Sequence, residues 1–433
     1  MSLARKIILA VCFTFAITCS AFAQWLLVPM DKAQTNHLKA YGLTYWTLQT
    51  PREYRAMWLL NYRGGAFLLN DSPDVHVKSK AMGVHVEPMS DLDYGEILIE
   101  MENSNMDEIL LEKAPKIAVY APPDNTPYRD PWGDAVKIAL DYAQIPYHVI
   151  WDKEVENQYL LTEGFDWLHL HHEDFTGQHG KFYGSFRGQV WYQQRVRLFK
   201  QAATEAGFSR VPRHKGHIAQ LIQDYVLNGG FLFAMCSAPE TLDIAIAAGA
   251  GHVDIVAPEL DGTPTQPDYQ SKLNFKKTFG FENFTLHTSP YQYEFSDIDD
   301  PKPEPDPLSG LEDFTLFEFS AKHDPIPTML TQNHVGKVRG FLGQTTSFNR
   351  DTIRDSVTIL GDIEGTPYAK YIHGKLGKGT FTFLGGHDPE DYRHLVGEGR
   401  IPTNLDLHKH SPGYRLILNN ILFPAAKKKP QKT

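Results

Sequence analysis

From Lys116 onward, short apolar runs alternate with longer amphipathic stretches. Residues 116–120 (KIAVY), 147–151, 166–171 (DWLHLH), 230–235 and 379–385 (GTFTFLG) have the length and β-branched or aromatic content of buried strands. Between them, residues 131–143, 189–207, 214–227 and 239–248 place apolar side chains at helical spacing. Residues 411–422 form a closing helix that starts at Ser411-Pro412, an expected N-cap and first-turn pair. Strands of this length separated by such helices predict βαβ units and a parallel sheet. Ligands bind such sheets beyond the C-terminal strand ends. Those ends are predicted at residues 121–124, 171–174, 236–237 and 385–390.

The pattern differs on either side of this core. Residues 24–112 read as a small N-terminal α/β lobe, with a hairpin turn at Tyr62-Arg63-Gly64-Gly65. The core occupies 113–254 and 331–424. Residues 255–330 interrupt it, with proline-rich stretches at 263–269 and 299–308 flanking an aromatic, alternating stretch at 275–295. We expect a β-rich antiparallel insertion there. Residues 374–379 (GKLGKG) lack the ending of a phosphate loop and predict a turn between strands. Residues 425–433 are a basic tail.

Residues 1–23 are read as a cleaved signal peptide. Arg5 and Lys6 precede an apolar stretch, and Ala21-Phe22-Ala23 is a small-x-small cleavage site before Gln24. A lipoprotein reading through Cys19 is the weaker alternative. The expected location is the periplasm or another exported compartment, with no transmembrane segment. The formal net charge is −10, and loss of Arg5 and Lys6 takes it to −12. That balance disfavours nucleic acid as a partner. Of three cysteines, Cys12 and Cys19 lie in the leader. Cys236 therefore has no intrachain disulfide partner in the mature chain, and is either a buried inert thiol or a nucleophile.

Cys236 follows the 230–235 strand and precedes a helix, the layout of a nucleophile elbow. There its thiol would sit near a helix N-terminus, which lowers a thiol pKa, and the Ser237 N–H would be an oxyanion donor. Ala234 and Ala238 stand where such elbows usually carry glycine. His387, just after the last core strand, is the candidate base, with Glu390 to orient it. His171, His172, Glu173, Asp174 and Asp388 are candidate pocket residues. Strand alternation puts His169 and His171 on one face. Two histidines and a carboxylate are zinc or iron ligand types, but no second HxH or HxxxH pattern completes a site. No metal and no cofactor is assigned.

Cys236 with downstream His387 and Glu390 resembles the class I glutamine amidotransferase-like superfamily, which implies a flavodoxin-like parallel sheet. GTFTFLGGHDPEDY (379–392) with YRLILNNIL (414–422) resembles ThuA-like proteins. The whole chain resembles a family of exported proteins from Bacteroidota-type bacteria often labelled asparagine synthetase B. VPMDKAQTNHLKAYGLTYW, DWLHLHHEDFTG, GGFLFAMCSA and GGHDPEDYRHLVG carry that resemblance. The labelled chemistry needs a cysteine exposed at residue 1 and a pyrophosphate loop. Here Ser2 follows Met1, and no such loop is visible. Three functions follow as expectations. The first is a cysteine-dependent amide or ester hydrolase. The second is a ThuA-like carbohydrate-binding or carbohydrate-modifying protein, so that the substrate is a small molecule or glycan. The third is a non-catalytic scaffold with a protein partner in the cell envelope.

Overall fold

A computed structural model describes residues 24–123, 133–261, 265–299, 313–323, 330–332, 335–341, 345–391 and 402–427. The leader with Cys12 and Cys19, most of the proline-rich stretch at 299–308 and the end of the basic tail lie outside these residues.

The N-terminal lobe is a five-stranded sheet of β1 (Trp25–Val28), β2 (Ala56–Leu60), β3 (Ala66–Asn70), β4 (Glu87–Met89) and β5 (Asp107–Leu111), in the order β4-β1-β3-β2-β5. Its neighbours pair antiparallel. The turn at Tyr62–Gly64 joins β2 to β3 as predicted. Helix α1 (His37–Leu48) covers one face; α2 (Pro73–Met82) and α3 (Asp91–Glu102) complete the lobe. The lobe shares its core with the rest of the chain. Leu26, Trp58 and Phe67 belong to the same apolar cluster as Val119, Phe233 and Leu418. Tyr41 on α1 donates its hydroxyl to Asn419 Oδ1 at 2.5 Å.

The second sheet holds β6 (Ile117–Tyr120), β7 (His148–Ile150), β8 (Trp167–Leu170), β9 (Phe231–Met235), β10 (Phe314–Leu316), β11 (Lys337–Val338), β12 (Phe348–Asn349), β13 (Thr358–Asp362), β14 (Tyr368–Leu376) and β15 (Gly379–Leu384). Its order is β11-β10-β13-β14-β15-β9-β8-β6-β7, with β12 paired to β14. The five strands β7, β6, β8, β9 and β15 run parallel. The strands beyond β15 are antiparallel. The sheet is therefore mixed, whereas the sequence pattern predicted a parallel one. A two-residue turn between β14 and β15 reverses the chain without a crossover helix.

Every residue of β8 and β9 is buried, as expected of strands covered on both faces. Alternate residues supply opposite cores: Trp167, Phe231, Phe233 and Met235 on one side, Leu168, Leu170, Leu232 and Ala234 on the other. The first side is covered by α1, α4 (Ala135–Ala143) and, in the closing segment, Pro412–Leu422. The second is covered by α5 (Val190–Glu205), α6 (Val211–Leu227) and α7 (Ala238–Gly251). The Pro412–Leu422 helix, α8, begins where predicted, with Ser411 Oγ accepting from Tyr414 N–H.

The β-rich insertion expected over 255–330 is not what the described residues of that segment form. Among its described residues the only strand is the three-residue β10. Phe281 and Leu286 make isolated bridges to Ile353 and Ser296. The aromatic residues that gave the alternating signal are instead core pieces: Phe279, Phe281, Phe284 and Phe295 pack into the α6–α7 side. Asp243 on α7 holds this segment by accepting from the N–H groups of Phe279, Gly280 and Phe281 at 2.6, 2.8 and 2.9 Å.

Two buried histidines set an acid limit on this fold. Burial pushes His37 down to about 4 and His373 down to about 3. In the unfolded chain each takes up its proton near pH ~6.5. Between these values the unfolded state binds more protons, so the stabilisation is complete above the unfolded value and lost as pH falls toward the folded ones. The unfolding free energy should fall below about pH 6, by roughly 1 kcal/mol per histidine for each pH unit, read as a falling melting temperature. His373→Gln should flatten that slope, and an unchanged slope would contradict this account.

Candidate functional site

The site is built at the C-terminal ends of β8, β9 and β15. The β9 strand ends at Met235, and Cys236 then takes a left-handed φ of +56° before α7 starts at Ala238. A non-glycine residue there costs on the order of 1 kcal/mol. The strand-to-helix turn enforces it. Cys236 N–H donates to Gly386 O at 3.0 Å, and Ala238 N–H donates to His171 O at 3.1 Å. Cys236 is 1% exposed, and Ser237 Oγ is buried without a hydrogen-bond partner among the described residues. In the first turn of α7, Glu240 is raised to about 8 by burial and by Asp299, while Ser296 and Thr345 donate hydroxyls to it. At neutral pH its carboxyl is mostly protonated, so it places little negative charge near the thiol.

Beside this turn, three imidazoles converge. His171 and His387 have ring centroids 4.3 Å apart, and His171 and His172 are 4.7 Å apart. His172 and His387 stack at 5.5 Å with 15° between planes. His171 and His387 are buried and His172 is half-buried. One ligand-type nitrogen from each lies within 4.8 Å of the others. A second group, Asp134, His169 and His171, meets the same 4.8 Å limit. Neither group includes Cys236 or Glu390.

Asp134 organises the floor. It caps α4 by accepting from Val136 and Lys137 N–H at 2.8 and 3.1 Å. The same Oδ1 lies 3.3 Å from His169 Nε2 and 3.1 Å from His171 Nδ1. Burial opposes its charge, but the two histidines hold its carboxyl well below the usual range. His169 Nδ1 faces Phe233 O at 3.1 Å, while Nε2 lies toward Asp134 without completing a hydrogen bond. Burial lowers His171 to about 4, partly countered by Asp134, and the ring is neutral at pH 7.

The other expected residues have different surroundings. Glu390 Oε2 lies 3.1 Å from His408 Nδ1. Asp388 is buried and fixes its own turn, accepting from Glu390 N–H at 2.9 Å and Thr403 Oγ1 at 2.7 Å. Asp174 binds back to Thr176 and Gly180 N–H and shapes the following loop. Glu173, raised by burial, points toward Lys215 Nζ at 3.9 Å. That lysine is fully buried, 2.9 Å from Asp152 Oδ1 and 3.0 Å from Tyr120 Oη. Sequence reasoning missed Asp134. Its local signal, an aspartate before an amphipathic helix, reads only as a cap. Its position beneath two histidines from another strand is a tertiary fact.

This geometry defines a mixed α/β protein with an imidazole cluster and a strained cysteine at its strand ends. No protein family and no curated protein matches the chain. Solved structures similar to it include a cytoplasmic protein from Salmonella typhimurium at 9% identity and another from Salmonella typhimurium LT2 at 12%. Each match covers 72% of this chain and 100% of that chain, with a TM-score of 0.33. At that level of likeness the site has to be read from its own geometry. No described helix is long and apolar enough to cross a membrane.

Gly386 positions both halves of the site. It has φ +93°, and a Cβ there would stand 1.7 Å from Phe341 O. Gly386→Ala should destabilise the protein by more than about 2 kcal/mol, read by denaturant unfolding. A change under about 0.5 kcal/mol would show that this turn relaxes freely.

Proposed function

We propose that the chain is an exported hydrolase of amide or ester bonds, on a class I glutamine amidotransferase-like core, with Cys236 as nucleophile. The observation that carries this reading is the left-handed φ of +56° at Cys236, between a buried strand and a fourteen-residue helix. Strain of that kind persists where the surrounding structure enforces it, and it concentrates at functional positions. The strand order supports the flavodoxin-like assignment. Numbered by sequence within the parallel half, it runs second, first, third, fourth, fifth. The ThuA-like resemblance of the last core strand and closing helix fits the same core.

In this reading the thiol proton passes to His387, whose loop is tied to the Cys236 turn through Gly386. The Ser237 N–H supplies an oxyanion donor, and the α7 N-terminus favours the thiolate. His171, held by Asp134, and His172 line the same recess. Glu390 faces His408 through one oxygen and orients the loop from its outer side. Export through the leader at 1–23 belongs to the proposal, and the mass of the secreted chain should show cleavage before Gln24.

The deciding measurement is iodoacetamide labelling of the folded mature protein across pH 5–9, with Cys236 followed by mass spectrometry. The expected result is an apparent thiol pKa well below ~8.5, and a rate at least about 10-fold lower in His387→Ala. A thiol that labels only after denaturation would reject the nucleophile.

A further inference from the structure

We propose that His171, His172 and His387 bind a divalent transition metal of the zinc class at the strand ends, with Asp134 fixing the His171 ring. Three imidazoles from two strand ends converge with ligand-type nitrogens within 4.8 Å of one another. Tetrahedral zinc holds its nitrogens about 2.0–2.1 Å away, which puts them about 3.3 Å from each other. Closing that difference requires the half-buried His172 and the His387 ring to turn, with His387 Nε2 now 3.2 Å from Gly133 O.

The bland alternative is a packed aromatic cluster, and the hydrogen bonding argues against it. His171 Nδ1 lies 3.1 Å from the Asp134 carboxylate, and a carboxylate at that distance favours the proton on Nδ1, leaving Nε2 its lone pair. Both ring nitrogens of His171 are buried and neither makes a hydrogen bond among the described residues; Nδ1 has the ion-pair contact with Asp134, and Nε2 lacks even that. A buried acceptor left unbonded is costly, and a cation at the centre of the three rings would satisfy it. Carboxylate, imidazole and metal in series is a recurring arrangement that fixes the tautomer and raises ligand basicity. Asp134 already bridges His169 and His171 through one oxygen. It therefore serves as the support, and the three histidines as the ligands. Three protein ligands leave a fourth position for water or substrate, the layout of a catalytic rather than a structural site.

This inference goes beyond the thiol reading and stands apart from it. A ring nitrogen given to a metal accepts no proton, so in a loaded site the Cys236 thiolate would have to form without His387 as base.

The test adds zinc, and separately cobalt(II), to the full mature protein after chelation. One equivalent per chain should bind, and cobalt should give the visible bands of a tetrahedral site. His171→Gln and His387→Gln should each weaken binding at least about 100-fold, and Asp134→Asn about 10–100-fold. His217→Ala, on α6, should bind as the parent does. If the buried variants unfold by circular dichroism, His172→Gln on the half-buried ring decides in their place. Absence of stoichiometric uptake by the parent, or unchanged affinity in the folded histidine variants, would overturn the site. Measuring Cys236 alkylation on the same samples separates the two readings. Metal uptake with an unreactive thiol supports the metal centre and removes the nucleophile. His387-dependent alkylation without uptake does the reverse.

Discussion

The parallel pairing of β9 between β8 and β15 is the constraint on which the site depends. Leu170 is in register with Ala234, and Leu384 with Met235. Each of these strands runs out within a residue or two of its neighbour. The chain then continues the pairing with single backbone bonds, from Cys236 to Gly386 and from Ala238 to His171. Three loops distant in sequence are thereby fixed beside one another by the same hydrogen bonds that make the sheet. A displaced register would carry His171 or His387 away from Cys236 while leaving each local segment intact.

Burial then sets the chemistry of that junction. The site lies between two apolar layers, so charge there survives only where a partner supports it. Asp134 keeps its charge because two imidazoles and two helix N–H groups face it. Glu240 has hydroxyl donors but no close cation among its hydrogen-bond partners, and its carboxyl is pushed up to about 8. The fully buried Lys215 is charge-balanced by Asp152. The result is a recess of imidazoles above one fixed carboxylate, with His171 pushed down to about 4 by burial.

Much of this was readable in advance, for definite reasons. The core strands and their helices follow from apolar runs whose length and spacing leave one solution, a covered sheet with helices between strands. The strand ends followed too, and so did the placing of Cys236, His171 and His387 at them. The insertion was misread because aromatic alternation looks the same whether side chains line a strand or drop singly into a core. The antiparallel continuation past β15 was hidden because short strands with tight turns do not announce their direction. Glu390 was chosen by its three-residue distance from His387; its contact with His408 comes from a loop that returns from further along the chain and has no local signal.

What the sequence by itself determined is the set of segments: which residues make strands, which make helices, and which polar residues stand at strand ends. Periodicity and turn chemistry are local, so they can be read locally. What only the tertiary structure decided is the partnership among those residues. Asp134 under His169 and His171, and His387 against His171 and His172, come from strand order and register. Those depend on how two apolar faces are covered at once. No spacing along the chain encodes which carboxylate ends beneath which ring.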